Sequence, residues 1–184
     1  MEEKKEVQRT ITPYQPTKAT EEEFFIMLKA VAPGTNLRTS IDGALKAGKG
    51  ALIAISNDQI LPLIDGGFRV NCRFTPQRLM ELTKMDGAII LSKDMKRIEY
   101  ANVLLTPDSK TKTTETGTRH KAGERTAKQT GCLVIAISER KHDVTMYYKN
   151  TRHSLKGTDI ILRKANEYIQ HLEKQRDSFE LHIG

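Results

Sequence analysis

The stretch Gly117-Thr118-Arg119-His120-Lys121-Ala122-Gly123-Glu124-Arg125-Thr126-Ala127-Lys128-Gln129-Thr130-Gly131-Cys132-Leu133-Val134-Ile135-Ala136-Ile137-Ser138 decides the fold. Gly117 to His120 opens a helix that runs to about Gln129, and Gly131 closes it. The apolar run that follows, Leu133 to Ser138, reads as a buried strand. Helices that alternate with short hydrophobic strands build layered α/β domains.

The same alternation appears upstream. Thr75-Pro76 reads as the N-cap and first residue of a helix through Leu79, Leu82 and Met85, after which Asp86-Gly87 turns directly into strand Ala88-Ile89-Ile90-Leu91. A helix near Leu37 to Ala47 ends at Gly48 and Gly50, before strand Ala51 to Ser56. Further upstream, Thr20 and Glu23 have the form of a capping box, with Phe24, Phe25, Met27, Leu28 and Val31 as the apolar stripe and Pro33-Gly34 as the stop. Leu61 to Ile64 reads as a short edge element before the turn Asp65-Gly66-Gly67, and Ala101 to Leu105 as another strand. Val144 to Tyr148 reads as a hairpin partner for Leu133 to Ser138. From about Asp159 onward, Ile160, Ile161, Leu162, Ala165, Ile169, Leu172 and Phe179 recur at helical spacing. The expected architecture is α/β, a mixed sheet flanked by helices, with a C-terminal helix. Residues 1–20 read as a flexible arm, 21–150 as the domain and 151–184 as a C-terminal helical segment.

In 184 residues, 38% hydrophobic and 29% charged, a packed core is feasible and no apolar run reaches the ~20 residues of a membrane span. The charged start MEEKKEVQRT lacks the apolar core of a secretory signal. Two cysteines, Cys72 and Cys132, exclude a disulfide framework and fit a reducing, cytoplasmic setting. The formal net charge is +7, and residues 110–128 hold six cations against two anions. Such a patch suits a polyanion or a phosphate-rich small ligand, or is a solvated face. Aromatics are only 5% with no Trp, which leaves little for base stacking. No zinc-ligand spacing, P-loop, GxSxG or kinase signature is present.

The helix start at Gly117 breaks a local rule. Unpaired N–H groups and the helix dipole make that end positive, yet Arg119, His120 and Lys121 crowd it without an acidic cap. A docked polyanion removes the conflict; splaying into solvent is the alternative. Asp86-Gly87-Ala88 sits at a helix-to-strand junction, where Asp86 either holds a hard divalent cation or belongs to a plain turn, and Gly87 permits close approach to the backbone. Asp65-Gly66-Gly67-Phe68 reads as a ligand-approaching turn or an ordinary loop, with Phe68 in the core. Ser138, at a strand end, is placed for a ligand contact or for capping the strand.

With these segments together, the chain resembles the diadenylate cyclase (DAC) domain, most closely that of the DNA integrity scanning type, over roughly residues 22–150. The likeness is carried by Ala32-Pro33-Gly34-Thr35 with Leu37-Arg38, Gly50-Ala51-Leu52-Ile53, Gly66-Gly67-Phe68, Leu82-Thr83-Lys84-Met85-Asp86-Gly87-Ala88, Ala101-Asn102-Val103, Glu115-Thr116-Gly117-Thr118-Arg119-His120, Glu124-Arg125 and Ala127-Lys128-Gln129-Thr130-Gly131. It implies a nucleotidyltransferase in which two protomers face each other and turn two ATP into the second messenger cyclic di-AMP (c-di-AMP) and two pyrophosphates, with Mg or Mn. It implies a homo-oligomer, a face-to-face dimer or a higher even assembly, in the cytoplasm. Asp86 would be the metal-associated carboxylate, with His120 beside the metal, and Asp86, Arg119 and His120 would be catalytic. Gly87, Leu105, Thr118, Arg119, His120, Lys121, Ala122 and Ser138 would line the nucleotide. The scanning type continues into a helical linker and a helix-hairpin-helix domain, so residues 151–184 would be the start of that linker, and DNA binding is not expected from this chain alone.

The family usually has Arg-His-Arg, then Thr, Ser or Ala; here Lys121 replaces the second arginine and Ala122 follows, and Glu139-Arg140-Lys141 departs from the arginine run after the serine. Lysine keeps the charge and loses the bidentate fork, which bears on affinity rather than reaction type. A module that senses ATP or c-di-AMP without turnover is the alternative, and a generic nucleic-acid surface with steep salt dependence is the third reading.

Overall fold

The structure, a computed structural model, describes residues 17–183. Most of the expected N-terminal arm lies outside the described residues. The capping box is present: Thr20 Oγ1 accepts from the Glu23 amide at 3.2 Å and the Thr20 amide donates to Glu23 Oε2 at 3.0 Å, opening α1 (Glu21–Ala30). Met27 and Val31 are buried and Phe24 and Leu28 pack beside them, whereas Phe25 is 59% exposed rather than part of the stripe. Thr35 caps α2 (Asn36–Lys46) and Thr75 caps α3 (Pro76–Leu82), each hydroxyl accepting an amide N–H three residues on. Such a cap contributes ~1 kcal/mol.

Strands β1 (Ala51–Ile55), β2 (Ile64–Asp65), β3 (Phe68–Arg73), β4 (Ala88–Leu91), β5 (Arg97–Leu105), β6 (Leu133–Ser138), β7 (Asp143–Tyr148) and β8 (Thr151–Leu155) form one sheet in the order β2-β5-β4-β1-β6-β7-β8, with β3 also paired to β5. Only β1 and β4 run parallel; the other pairings are antiparallel, so the sheet is mixed as expected. Two-residue alternation splits the core between the two faces. Ala51, Ile53, Ile55, Ile89, Leu91, Ile135 and Ile137 cluster with Met27, Leu37, Ile41 and Leu79 of α1–α3. Leu52, Ala54, Ala88, Ile90, Val134 and Ala136 cluster with Ala127 of α4 (Thr118–Thr130). Both sides of β1 are covered, which is why its sequence is continuously apolar. α4 lies close because it carries Gly123: a β-carbon there would sit 3.1 Å from Leu52 Cδ1 and 3.3 Å from Val134 Cγ1. The helix ends at Gly131 in the left-handed conformation (φ 67°), where glycine carries no penalty.

Three expectations are corrected. The segment read as a loop after Asp65 is paired on β5: β2 matches Ile64 and Asp65 to Leu105 and Leu104, and β3 begins at Phe68, which is 45% exposed rather than core. Leu61–Leu63 is a single 3-10 turn before β2. Thr151 to Leu155, expected to open the C-terminal helical segment, are the edge strand β8, paired along its length with β7. Both missed strands pair at the margins of the sheet and interleave polar residues (Arg69, Asn71, Arg73; Arg152, Ser154), so neither shows an apolar run.

The C-terminal helix α5 (Thr158–Ile183) starts from a polar joint on α2. Arg38, 3% exposed, bonds Asp42 Oδ1 through Nε at 3.0 Å and donates to the Lys156 carbonyl; Thr158 Oγ1 donates to Asp42 Oδ2 at 2.5 Å. Beyond the joint, Leu162, Tyr168, Ile169, Leu172 and Phe179 are exposed. Among the described residues no helix is long and apolar enough to cross a membrane.

Candidate functional site

A cleft of about 700 Å³ opens on the α4 side of the sheet. It is lined by Leu52 of β1, Gly87 and Ala88 at the start of β4, Val103 to Leu105 at the end of β5, and Glu115 to His120 with Ala122 around the start of α4. Ser138 to Lys141, Asp143 and Thr145 of the β6–β7 hairpin and Arg152 of β8 complete it. Antiparallel pairing explains the meeting: Ala51 opposes Ile137, so the start of β1 and the end of β6 share one margin of the sheet.

At that margin α4 begins with its amides uncapped. Gly117 at the N-cap has no side chain to accept an N–H, and no acidic residue stands in the first turn, so a ligand can take those donors. Arg119 lies across Gly50, so close that a β-carbon on Gly50 would be 2.3 Å from Arg119 Nη1. His120 is half-buried. Burial lowers its pKa, the carboxylates of Glu115 and Asp143 push the other way, and the balance leaves it below the ordinary imidazole value. At neutral pH the ring is therefore uncharged; it meets Tyr147 edge-on with centroids 6.4 Å apart.

Glu115 is the acidic neighbour of this turn. Its Oε1 accepts from the Tyr147 hydroxyl at 2.8 Å and from Arg152 Nε at 2.6 Å. Burial raises its pKa, but the Arg152 and Tyr147 hydrogen bonds hold it below the usual carboxylate value. The rest of the loop is fastened to the back of α4. Arg125 Nε donates to the Thr111 carbonyl at 3.0 Å, and Lys128 Nζ donates to the Lys112 carbonyl at 3.0 Å and to Glu124 Oε1 at 2.6 Å. Glu124 also accepts from Thr113 Oγ1. The basic segment 110–128 thus divides: Arg125 and Lys128 hold the loop, while Arg119, with Arg140, Lys141 and Arg152 from outside the segment, faces the cleft.

Of the residues expected at the site, Gly87, Leu105, Thr118, Arg119, His120, Ala122 and Ser138 line the cleft together. Asp86 and Lys121 are not in its lining: Asp86 is exposed at the rim beside Gly87 and Lys121 is half-buried elsewhere on α4. Ser138 also closes its own turn, Oγ accepting the Lys141 amide at 3.2 Å. Gly87 (φ +88°) is pressed on β5, where a β-carbon would lie 2.8 Å from the Asn102 carbonyl carbon. The sequence reading passed over Glu115, Asp143, Thr145 and Arg152 as site residues. Glu115 stood two residues ahead of the glycine-led turn; Arg152 had no signal, because only the β7–β8 ladder carries it to the cleft.

No group of three or more His, Cys, Asp or Glu is placed to hold a metal among the described residues. Of the expected ligands, Asp86 offers a hard divalent cation an exposed carboxylate at the rim, and Glu115, Glu139 and Asp143 add carboxylates in the lining. Carboxylate, phosphate oxygens and water are the ordinary donor set of Mg at phosphate sites, and the His120 nitrogen is a donor that suits Mn better than Mg.

The family model "DAC: DisA bacterial checkpoint controller nucleotide-binding" matches residues 38–152, from α2 to β8. The chain belongs to the DAC family. Among curated relatives, the DNA integrity scanning protein DisA of Acetivibrio thermocellus is 49% identical over 157 residues, 85% of this chain and 44% of that protein. DisA of Bacillus subtilis is 51% identical over 151 residues, 82% of this chain and 42% of that protein. The chain thus spans less than half the length of these relatives. Two solved structures share this fold: a hypothetical membrane spanning protein from Bacillus cereus (TM-score 0.59, 22% identity, 66% of this chain and 62% of that one) and DacA from Staphylococcus aureus (TM-score 0.56, 20% identity, 72% and 91%).

Proposed function

We propose that this chain is a metal-dependent diadenylate cyclase that condenses two ATP into c-di-AMP and two pyrophosphates across two facing protomers. The observation that carries this reading is the uncapped start of α4, where free amides, Arg119 and His120 open into a cleft large enough for a nucleotide.

Closing a 3′,5′ phosphodiester needs a ribose 3′-hydroxyl in line with an α-phosphorus and its departing pyrophosphate, and such chemistry rests on positioning and charge neutralisation. In this reading the Thr118–His120 amides and the Arg119 guanidinium hold the β- and γ-phosphates and stabilise the leaving charge. Arg119 is held in place by packing over Gly50. His120, held below the ordinary imidazole pKa in the free protein, offers a ring N–H to the phosphates. Leu105 and Gly87 bring backbone to the nucleoside, and Ser138 offers a hydroxyl to phosphate. Asp86, exposed at the rim, is accessible to a nucleotide brought by a second protomer in this reading. Mg or Mn held by Asp86, with or without His120, would supply charge neutralisation at the reacting phosphate and acidify the attacking hydroxyl. A product with two-fold symmetry suits a two-fold assembly in which each protomer brings one nucleotide.

The test is the mass of the product after incubation with ATP and Mn. The dinucleotide, lost in Asp86→Asn with the fold and ATP binding retained, is the expected result. ATP binding without product from the assembled protein would make the chain a nucleotide-sensing module, and full turnover by Asp86→Asn would remove the role given to that carboxylate. Cytoplasmic location belongs to the same proposal.

A further inference from the structure

We infer that Arg152, carried to the cleft by β8, is a further phosphate-contacting residue, aimed by Glu115. This rests on the proposed reading of the cleft as a nucleotide site. Arg152 is half exposed and lines the cleft together with Thr118, Arg119 and His120. Its Nε donates to Glu115 Oε1 at 2.6 Å, and Glu115 is itself fixed from behind by the hydroxyl of the fully buried Tyr147. An arginine tethered through Nε keeps the two terminal nitrogens of its fork for a second acceptor, and that fork matches the geometry of phosphate oxygens.

Charge balance in the cleft points the same way. Glu115 is a carboxylate in a site for a triphosphate and would repel it unless neutralised; the Arg152 pair neutralises it and still leaves N–H donors over. Lys121 lies outside the lining, so the second guanidinium expected next to His120 is not supplied from α4. A strand on the other side of the cleft supplies one. Where α4 carries a lysine, β8 carries the arginine.

The experiment measures ATP and adenosine binding by calorimetry on the whole chain for wild type, Arg152→Ala, Glu115→Gln and the double variant. Arg152→Ala is expected to weaken ATP about ten- to hundredfold, the worth of a charge-assisted hydrogen bond, and to leave adenosine unchanged. The double variant is expected to stay weak. If Glu115→Gln restores ATP binding to Arg152→Ala, the arginine only cancels the carboxylate and the inference fails. Equal loss of ATP and adenosine means a purely structural role and also overturns it, as does unchanged ATP affinity. Failure of the wild-type chain to bind ATP at all strikes the nucleotide-site reading instead, a result distinct from each of these.

Discussion

The guanidinium of Arg119 lies against Gly50: a β-carbon on Gly50 would stand 2.3 Å from Nη1 and 3.0 Å from Cζ of the arginine. A glycine at the end of one loop thus determines where the first-turn cation of α4 rests. The obstacle to a larger residue is the tip of a flexible side chain, not backbone. Gly50→Ala is therefore expected to leave thermal stability within ~1 kcal/mol of wild type while shifting Arg119 and weakening ATP. A large fall in melting temperature, or unchanged ATP affinity, would contradict this.

Gly87→Ala should behave in the opposite way. Its β-carbon would meet backbone of Asn102 and Val103 at 2.8–3.0 Å, in a left-handed conformation that L-residues disfavour. The β4–β5 ladder must shift to admit it. The expectation is a loss of ~2–4 kcal/mol in chemical unfolding together with loss of the cleft's function. A variant as stable as wild type would refute the close approach.

Glu124 is 7% exposed and joins Lys128, Thr113 and the Thr114 amide, holding the loop to α4. Burial raises its pKa, but the Lys128 and Thr113 hydrogen bonds together hold it below the ordinary 4.5. A carboxyl depressed on folding contributes stability that is present above its unfolded pKa and is lost as pH falls through the folded value. Glu124→Ala should cost ~3 kcal/mol at pH 7, because it strands a partly buried lysine. In Glu124→Gln, the fall in melting temperature on acidification below pH 4.5 should be shallower than in wild type; identical acid limbs would exclude the assigned coupling.

His120 resists protonation in the free protein because burial outweighs Glu115 and Asp143. Protons then bind the unfolded chain more readily below the ordinary value, so this group makes the fold less stable as pH drops through that range. A triphosphate beside the ring would reverse the preference and draw a proton in. ATP binding should tighten from pH 7 to 6, with proton uptake seen as a heat that depends on buffer ionisation enthalpy. Uptake that persists in His120→Asn would assign the proton elsewhere.

Cys132 is buried, its thiol pushed up to about 12 by burial. Cys72, on β3, is partly accessible. A thiol reagent should label one cysteine per native chain and two after unfolding; rapid labelling of Cys132 in the native state would show that the α4–β6 junction opens.

The order of helices and buried strands was legible in the amino-acid sequence, because elements covered by the core advertise themselves through apolar periodicity, caps and glycines. Thr20, Thr75, Gly131 and the run from Leu133 to Ser138 all stand where those local rules put them. The uncapped, cation-crowded start of α4 was legible for the same reason: it is a local violation of a local rule. Strands β3 and β8 were not, since the hydrogen bonds that hold a polar edge strand belong to its neighbour and leave no trace in its own residues. The sheet alone decided that Arg152 and Glu115 meet across 37 residues, that Asp86 stands at the rim rather than inside, and that two of the six cations of a basic segment would be turned to fastening a loop. Local propensity is written residue by residue; which side chains share a cavity depends on strand register, a property of pairs.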